Sequence, residues 1–183
     1  MYFRKMPGKK CYLSPIDLND AEKFTEWLND LEVTENLLLF PQMISIENEK
    51  RYLEKLSKEH NYSIIDNDTN ELIGNCGFES IDHLNQTAEA GIFIGNKKYW
   101  DSGYGTEALC LLLDYGFRAL NFHNVFLCVY SFNERAKKCY EKIGFKIIGK
   151  RREALLRGKE RHDKIFMDIL SSEFYERFNP KTN

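Results

Sequence analysis

No stretch of this sequence approaches the ~18 consecutive apolar residues that a membrane-spanning helix requires. The basic opening, Met1 to Lys10, also lacks the apolar run of a signal peptide. A cytoplasmic protein without a membrane partner is expected. An excess of charge of either sign is missing too: 26 Lys and Arg against 28 Asp and Glu leave a net charge of −2, which gives no global attraction for nucleic acid. The cysteines Cys11, Cys76, Cys110, Cys128 and Cys139 are odd in number, contain no C-x-x-C pair and mostly sit in apolar runs. Buried reduced thiols are therefore expected. His60, His83, His123 and His162 are scattered without metal-ligand spacing, so no metal is assigned.

What is present suffices for one substantial core. At 183 residues, 43% hydrophobic and 14% aromatic, a single domain over 1–183 is expected, with tails at 1–9 and 175–183. Cys11 to Ile16 has the length and flanks of a first strand. Asp17 or Asn19 is placed to cap a helix that carries Ala21, Phe24, Trp27 and Leu28 on one face. Between Asp17 and Glu35, seven acids face only Lys23, a run that is either a solvated face or an attractor for a cationic amine. Ser45 opens a second capped helix with Tyr52, Leu53 and Leu56 facing inward.

The segments 62–66 and 72–78 flank the polar turn Asn67 to Asn70 and form a β-hairpin. A third strand, 87–94, alternates so that Glu89 shares a side with Gly91 and Phe93, facing a cleft or water. A helix then leads to the strand Asn124 to Val129, a βαβ crossover and hence a parallel pair. Strands at 146–149 and 164–170 close the chain around a charged hairpin, Arg151 to Asp163. The fold class is α+β, a mixed and mainly antiparallel sheet with helices on both faces.

Tyr99-Trp-Asp-Ser-Gly-Tyr-Gly-Thr-Glu-Ala108 runs straight into an apolar helix. Gly103 and Gly105 allow close backbone approach, and a helix starting near Gly105 aims unpaired N–H groups and its positive end at an anion. The loop is not a Walker A sequence, because Thr106 and Glu107 follow Gly105 where Lys and Ser/Thr are required. Gly103, Gly105 and Ala108 formally match the dinucleotide fingerprint. However, no strand precedes them closely, and the next strand ends in Tyr130 and Ser131 rather than in an acid. A glycine turn before a core helix remains the alternative.

A second stretch, Asn133 to Phe145, changes the balance. With both in view, the chain resembles the GNAT superfamily of acyl-CoA-dependent N-acetyltransferases, from about Lys10 to about Phe174. Within it, the resemblance is greatest to the branch of ribosomal-protein N-terminal acetyltransferases and spermidine acetyltransferases. Trp100 to Ala108 matches the pyrophosphate motif, with Trp100 where Gln or Arg often opens it. Asn133, Arg135, Ala136, Tyr140, Gly144 and Phe145 match the following helix and turn.

The resemblance implies two parallel central strands that splay apart, with the backbone of Ile92, Phe93 and Ile94 pairing with pantetheine amides. It implies a cofactor site made of Trp100, Asp101, Ser102, Gly103, Tyr104, Gly105 and Thr106, with Asn133, Arg135, Lys137 and Tyr140 on the later helix. Asn133, Lys137 and Tyr140 fall at i, i+4 and i+7, on one helix face. Acetyl-CoA is the expected co-substrate. The acceptor is a small-molecule amine or a peptide N-terminus, and the protein a monomer or homodimer. Thr34 to Ile44 is either a substrate lid or a structural connection.

An alkylammonium with a pKa of ~10 must lose a proton before attacking a thioester. By resemblance Glu89 is the base, and an ordinary surface charge is its alternative. A thiolate whose conjugate thiol has a pKa of ~8.5 gains from a donor as it leaves. Tyr140 supplies it, unless its ring is only core. A CoA-sensing module without activity and a nucleotide-dependent oxidoreductase are the competing functions.

Overall fold

The structure is a computed structural model, in which residues 1–37 and 42–178 are described. The strands are β1 (Met6–Pro7), β2 (Cys11–Pro15), β3 (Asn61–Asp66), β4 (Leu72–Asp82), β5 (Thr87–Ile94), β6 (Asn124–Tyr130), β7 (Lys146–Arg157) and β8 (Glu160–Leu170). The helices are α1 (Ala21–Leu28), α2 (Leu31–Thr34), α3 (Ile46–Leu56), α4 (Tyr104–Arg118), α5 (Glu134–Ile143) and α6 (Ser171–Phe178). The strands hydrogen-bond in the order β1-β2-β3-β4-β5-β6-β8-β7. The β5–β6 pair is parallel; β1–β2, β2–β3, β3–β4, β6–β8 and β7–β8 are antiparallel. This is the mixed, mainly antiparallel sheet expected. No described helix is long and apolar enough to cross a membrane.

The chain divides into two compact units, Met1–Phe78 with Gly91–Leu112, and Glu79–Ala90 with Leu113 onward. In the first, Ala21, Phe24, Trp27 and Leu28 of α1 are all buried, as their spacing requires. Phe24 and Trp27 meet edge to face at 5.5 Å, and their rings lie 6.5 and 6.1 Å from that of Phe93 on β5. Tyr12, Leu53, Leu56, Ile65 and Leu72 complete this core. The α4 start approaches the alternate β5 side chains, Ile92 and Ile94, so α1 and α4 contact opposite faces of the strand.

Ser45 caps α3 as expected, its Oγ accepting from the Asn48 N–H at 3.3 Å. Tyr52 is a correction: it is 45% exposed while Leu53 is 1% exposed. The buried stripe runs through Glu49, Leu53 and Leu56, at i, i+4 and i+7, and leaves Tyr52 off its edge. The tail expected over 1–9 is also corrected, because Met6 and Pro7 pair with Leu13 and Tyr12.

In the second unit, β5 pairs with β6 over Thr87–Glu89 and Asn124–Phe126 only, although both strands continue. Val125, Leu127, Val129, Ile143, Phe145, Met167 and Ile169 are buried. The charged hairpin expected over 151–163 is the tip of a longer one: β7 and β8 run on beyond 149 and before 164 to a turn at Gly158 and Lys159. Two register shifts interrupt that ladder, one between Arg151 and Leu155, where Glu153 takes φ +50°. Helix α6 continues past residue 175, the expected start of the C-terminal tail, to Phe178. The Phe174 ring on α6 packs, tilted, against those of Phe117 and Phe178 at 5.5 and 4.9 Å.

Candidate active site

The glycine loop belongs to the first unit. Gly103 adopts φ +84°, which favours glycine, and a Cβ there would meet nothing within 4 Å. A Cβ at Gly105 would lie 3.7 Å from Ile94 Cγ1 and 3.9 Å from Ile92 Cδ1, so the loop stands over these strand residues. The first N–H groups of an α-helix have no intrahelical acceptor. In α4 these begin at Tyr104 and Gly105, and the Glu107 N–H returns to the Gly103 carbonyl at 3.0 Å. The arrangement offers donors and a positive helix end to an anion.

Neighbouring groups fix the loop. The Tyr104 hydroxyl donates to Asp66 at 2.7 Å, which together with burial raises its pKa. The Tyr99 ring stacks edge to face on Tyr104 at 4.9 Å, and its hydroxyl donates to Glu71 at 3.1 Å. Trp100 donates its indole N–H to the Ile94 carbonyl at 2.8 Å, committing its single polar hydrogen to the protein. Asp101 and Ser102 are exposed; Asp101 takes φ +54° and the Ser102 hydroxyl donates to the Trp100 carbonyl. Thr106 lies in the first turn of α4.

The acidic run finds its partner far along the chain. Lys97 Nζ lies 2.8 Å from Asp30 and 2.7 Å from Glu32, which holds Asp30 below the usual carboxylate range and pushes Lys97 up to about 12. Asp17 pairs with the N-terminus and Glu26 with Lys23. Leu38 to Pro41, in the middle of the segment considered as a lid, lie outside the described residues. At its far end, Asn29 bonds both the N–H and the carbonyl of Ile44.

In the second unit, Glu89 lies on β5 with Ala88 and Ala90 buried on either side. Its carboxylate accepts from the Cys128 thiol at 3.4 Å and from the Ser80 hydroxyl at 3.4 Å. Burial pushes the Cys128 thiol up in pKa and outweighs the opposing influence of the nearby Lys164 ammonium. Burial works against that ammonium, yet the influence of Cys128, Tyr130 and Glu89 keeps its pKa above the usual value.

Tyr140 is 9% exposed, and burial first, then the nearby Cys139 and Cys128, raises its pKa. Its ring packs 5.9 Å from Phe145, and its hydroxyl makes no hydrogen bond among the described residues. Glu89 is thus bonded to Cys128, and the charge of the same thiol is felt at Tyr140.

The rest of the expected face on α5 is used differently. Asn133 caps the helix and does not lie in it: its Oδ1 accepts from the Ala136 N–H at 3.1 Å, leaving the amide NH2 group. Lys137 pairs with Glu134 at 2.8 Å, and Arg135 is exposed.

Sequence reasoning missed Lys10, Glu107, Cys128 and Lys164. Glu89 pairs with Phe126, Phe126 and Cys128 are two apart on β6, and Lys164 pairs with Tyr130. Period-two alternation therefore sets the three polar side chains on one face once the register is known. The register was the missing signal.

The sequence model described as "Acetyltransferase (GNAT) domain" matches residues 10–146. The chain is 31% identical to the uncharacterised N-acetyltransferase p20 of Bacillus licheniformis, over 92% of this chain and 94% of that one. It is 39% identical to the spermidine N(1)-acetyltransferase of Escherichia coli, over 38% and 37% of the two chains. Among solved structures, the spermidine N-acetyltransferase of Vibrio cholerae in complex with CoA and spermine superposes with a TM-score of 0.82 at 23% identity. That match covers 91% of this chain and 99% of the other. With a family match over most of its length and a full-length relative, the chain belongs to the GNAT family of N-acetyltransferases.

Proposed function

We propose that this protein transfers the acetyl group of acetyl-CoA to a primary amine by direct attack in a ternary complex. The observation that carries the reading is the cluster on β5, β6 and α5. A carboxylate, Glu89, accepts from the Cys128 thiol, and a buried phenol, Tyr140, whose hydroxyl makes no hydrogen bond among the described residues, lies within electrostatic range of the same thiol. Base and donor are thereby available within one unit.

Glu89 takes the proton of the acceptor ammonium, directly or through water, and the free amine attacks the thioester carbon. A backbone N–H on the Phe93 strand steadies the oxyanion. As the tetrahedral intermediate collapses and the C–S bond breaks, Tyr140 hydrogen-bonds the leaving sulfur, while the second proton shed by the nitrogen as the amide forms passes through water to the thiolate. Burial keeps this phenol protonated and makes it a weaker acid than a thiol of pKa ~8.5. Its role is therefore a hydrogen bond to the forming thiolate, with complete proton transfer uphill.

The loop Trp100 to Thr106 and the α4 start hold the cofactor diphosphate. Ile92, Phe93 and Ile94 pair with pantetheine, a role supported by a β5–β6 ladder that ends at Glu89. Asn133, with its amide NH2, and Arg135 and Lys137 are the further cofactor contacts. The acceptor is a polyamine, a small amine or a peptide N-terminus, and the relatives that act on spermidine support the first. The family match runs through segments of both units, which supports treating the chain as one functional domain.

The test is a panel of polyamines, small amines and peptides, scored by release of CoA thiol and by intact mass. Acetyl addition to one class with stoichiometric thiol release is expected. Saturable CoA binding without thiol release on any acceptor would make the protein a binding module instead.

A further inference from the structure

The turn from Gly8 to Lys10 precedes or only just enters the family match, which begins at residue 10. It nevertheless grips the glycine loop at two points. Lys10 Nζ donates to the Ser102 carbonyl at 2.9 Å and rests 5.5 Å from the centre of the Tyr104 ring. In the other direction, Glu107 in the first turn of α4 accepts from the Lys10 backbone N–H at 2.8 Å. Gly8 is what lets that carboxylate in: a Cβ there would stand 2.3 Å from Glu107 Oε1 and 2.7 Å from the Cys11 carbonyl.

The clamp holds an ammonium between Ser102 and Tyr104, on either side of Gly103 and beside the N–H groups that α4 leaves without acceptors. An ammonium has three N–H donors, of which the Ser102 carbonyl takes one. Lys10 is exposed and ion-pairs with no carboxylate among the described residues, so its charge is not neutralised on the spot. Tyr104 cannot swing away, being tied to Asp66 and stacked on Tyr99.

We propose that Lys10 is a ligand of the cofactor diphosphate, closing the glycine cradle from the N-terminal turn. This rests on the reading of the loop as a diphosphate site. The Ser102 carbonyl presets the ammonium, and a phosphate oxygen takes one of the remaining donors. The contact is charge-assisted, the stronger class of hydrogen bond, and is localised to a group absent from pantetheine.

Calorimetry of the wild type, Lys10→Ala and Lys10→Arg against CoA, dephospho-CoA and pantetheine tests it, with melting temperatures as a control on the fold. Lys10→Ala is expected to weaken CoA and dephospho-CoA by the same factor, about tenfold or more. Pantetheine binding should be unchanged, and Lys10→Arg should recover most of the loss. Wild-type CoA affinity retained in Lys10→Ala would overturn the assignment while leaving the cradle intact. Loss confined to CoA, with dephospho-CoA unaffected, would move the contact to the 3′-phosphate and also overturn it. An equal loss with pantetheine would make Lys10 a brace of the fold. No binding of CoA by the wild type would remove the cradle itself, and this inference with it.

Discussion

A phenol buried to 9% exposure with no acceptor for its hydroxyl among the described residues is the arrangement that removal of one oxygen tests best. Tyr140→Phe keeps the ring against Phe145, so any change reports the hydroxyl. A fall in kcat of about 10²–10⁴-fold, with KM and melting temperature little altered, is expected from steady-state kinetics. The deficit should shrink with a thioester whose thiol has a much lower pKa. Glu49 sets a different residue-scale test. It is 2% exposed, and burial raises its pKa from 4.5 to about 7. The folded state thus favours the protonated acid. Its contribution to stability is full below pH 4.5 and is lost as the pH rises through about 7. Glu49→Gln should flatten the decline in melting temperature between these values; a parallel decline in both proteins would rule the group out. Tyr140 was legible because its motif fixes its place on a helix. Cys128 and Lys164 were not, because what makes them neighbours of Glu89 is a pairing between strands far apart in sequence.

At the scale of elements, the start of α4 separates ligand approach from backbone strain. Gly103 takes φ +84°, so a side chain there disturbs the fold as well as the site. Gly105 has no such requirement, and its added Cβ would make only ordinary contacts with Ile92 and Ile94. Gly105→Ala should therefore melt no lower than the wild type, helped by the better helix propensity of Ala. If the diphosphate packs on this backbone, its CoA affinity, read by calorimetry, should still fall markedly. Unchanged affinity would mean that the glycine is not needed for close approach. The helices were legible where capping and apolar spacing agreed, as in α1 and α3. The closing strands run further into the charged hairpin than their apolar residues marked, because exposed strands near a sheet edge tolerate polar residues on both faces.

Across the whole molecule, the strand succession and the parallel β5–β6 pair followed from local pattern plus the crossover rule. The charges did not, because Lys97 sits more than sixty positions from the acids it joins, Asp30 and Glu32. The bulge in β7 has a consequence of another kind. As the last strand in the order, β7 presents an open edge of main-chain N–H and carbonyl groups, with Ile147 and Ile148 more than half exposed on it. Such an edge is a template for fibril-like stacking of further copies. The displaced register around Glu153 and the cations Lys150, Arg151 and Arg152 break its flatness and give neighbouring molecules like charges to overcome. Arg151→Ser with Arg152→Ser should keep the melting temperature but shorten the lag before turbidity in dilute buffer at moderate heat. The colloidal lifetime of this enzyme in a crowded cell would then be governed by a strand remote from Glu89 in the sheet order.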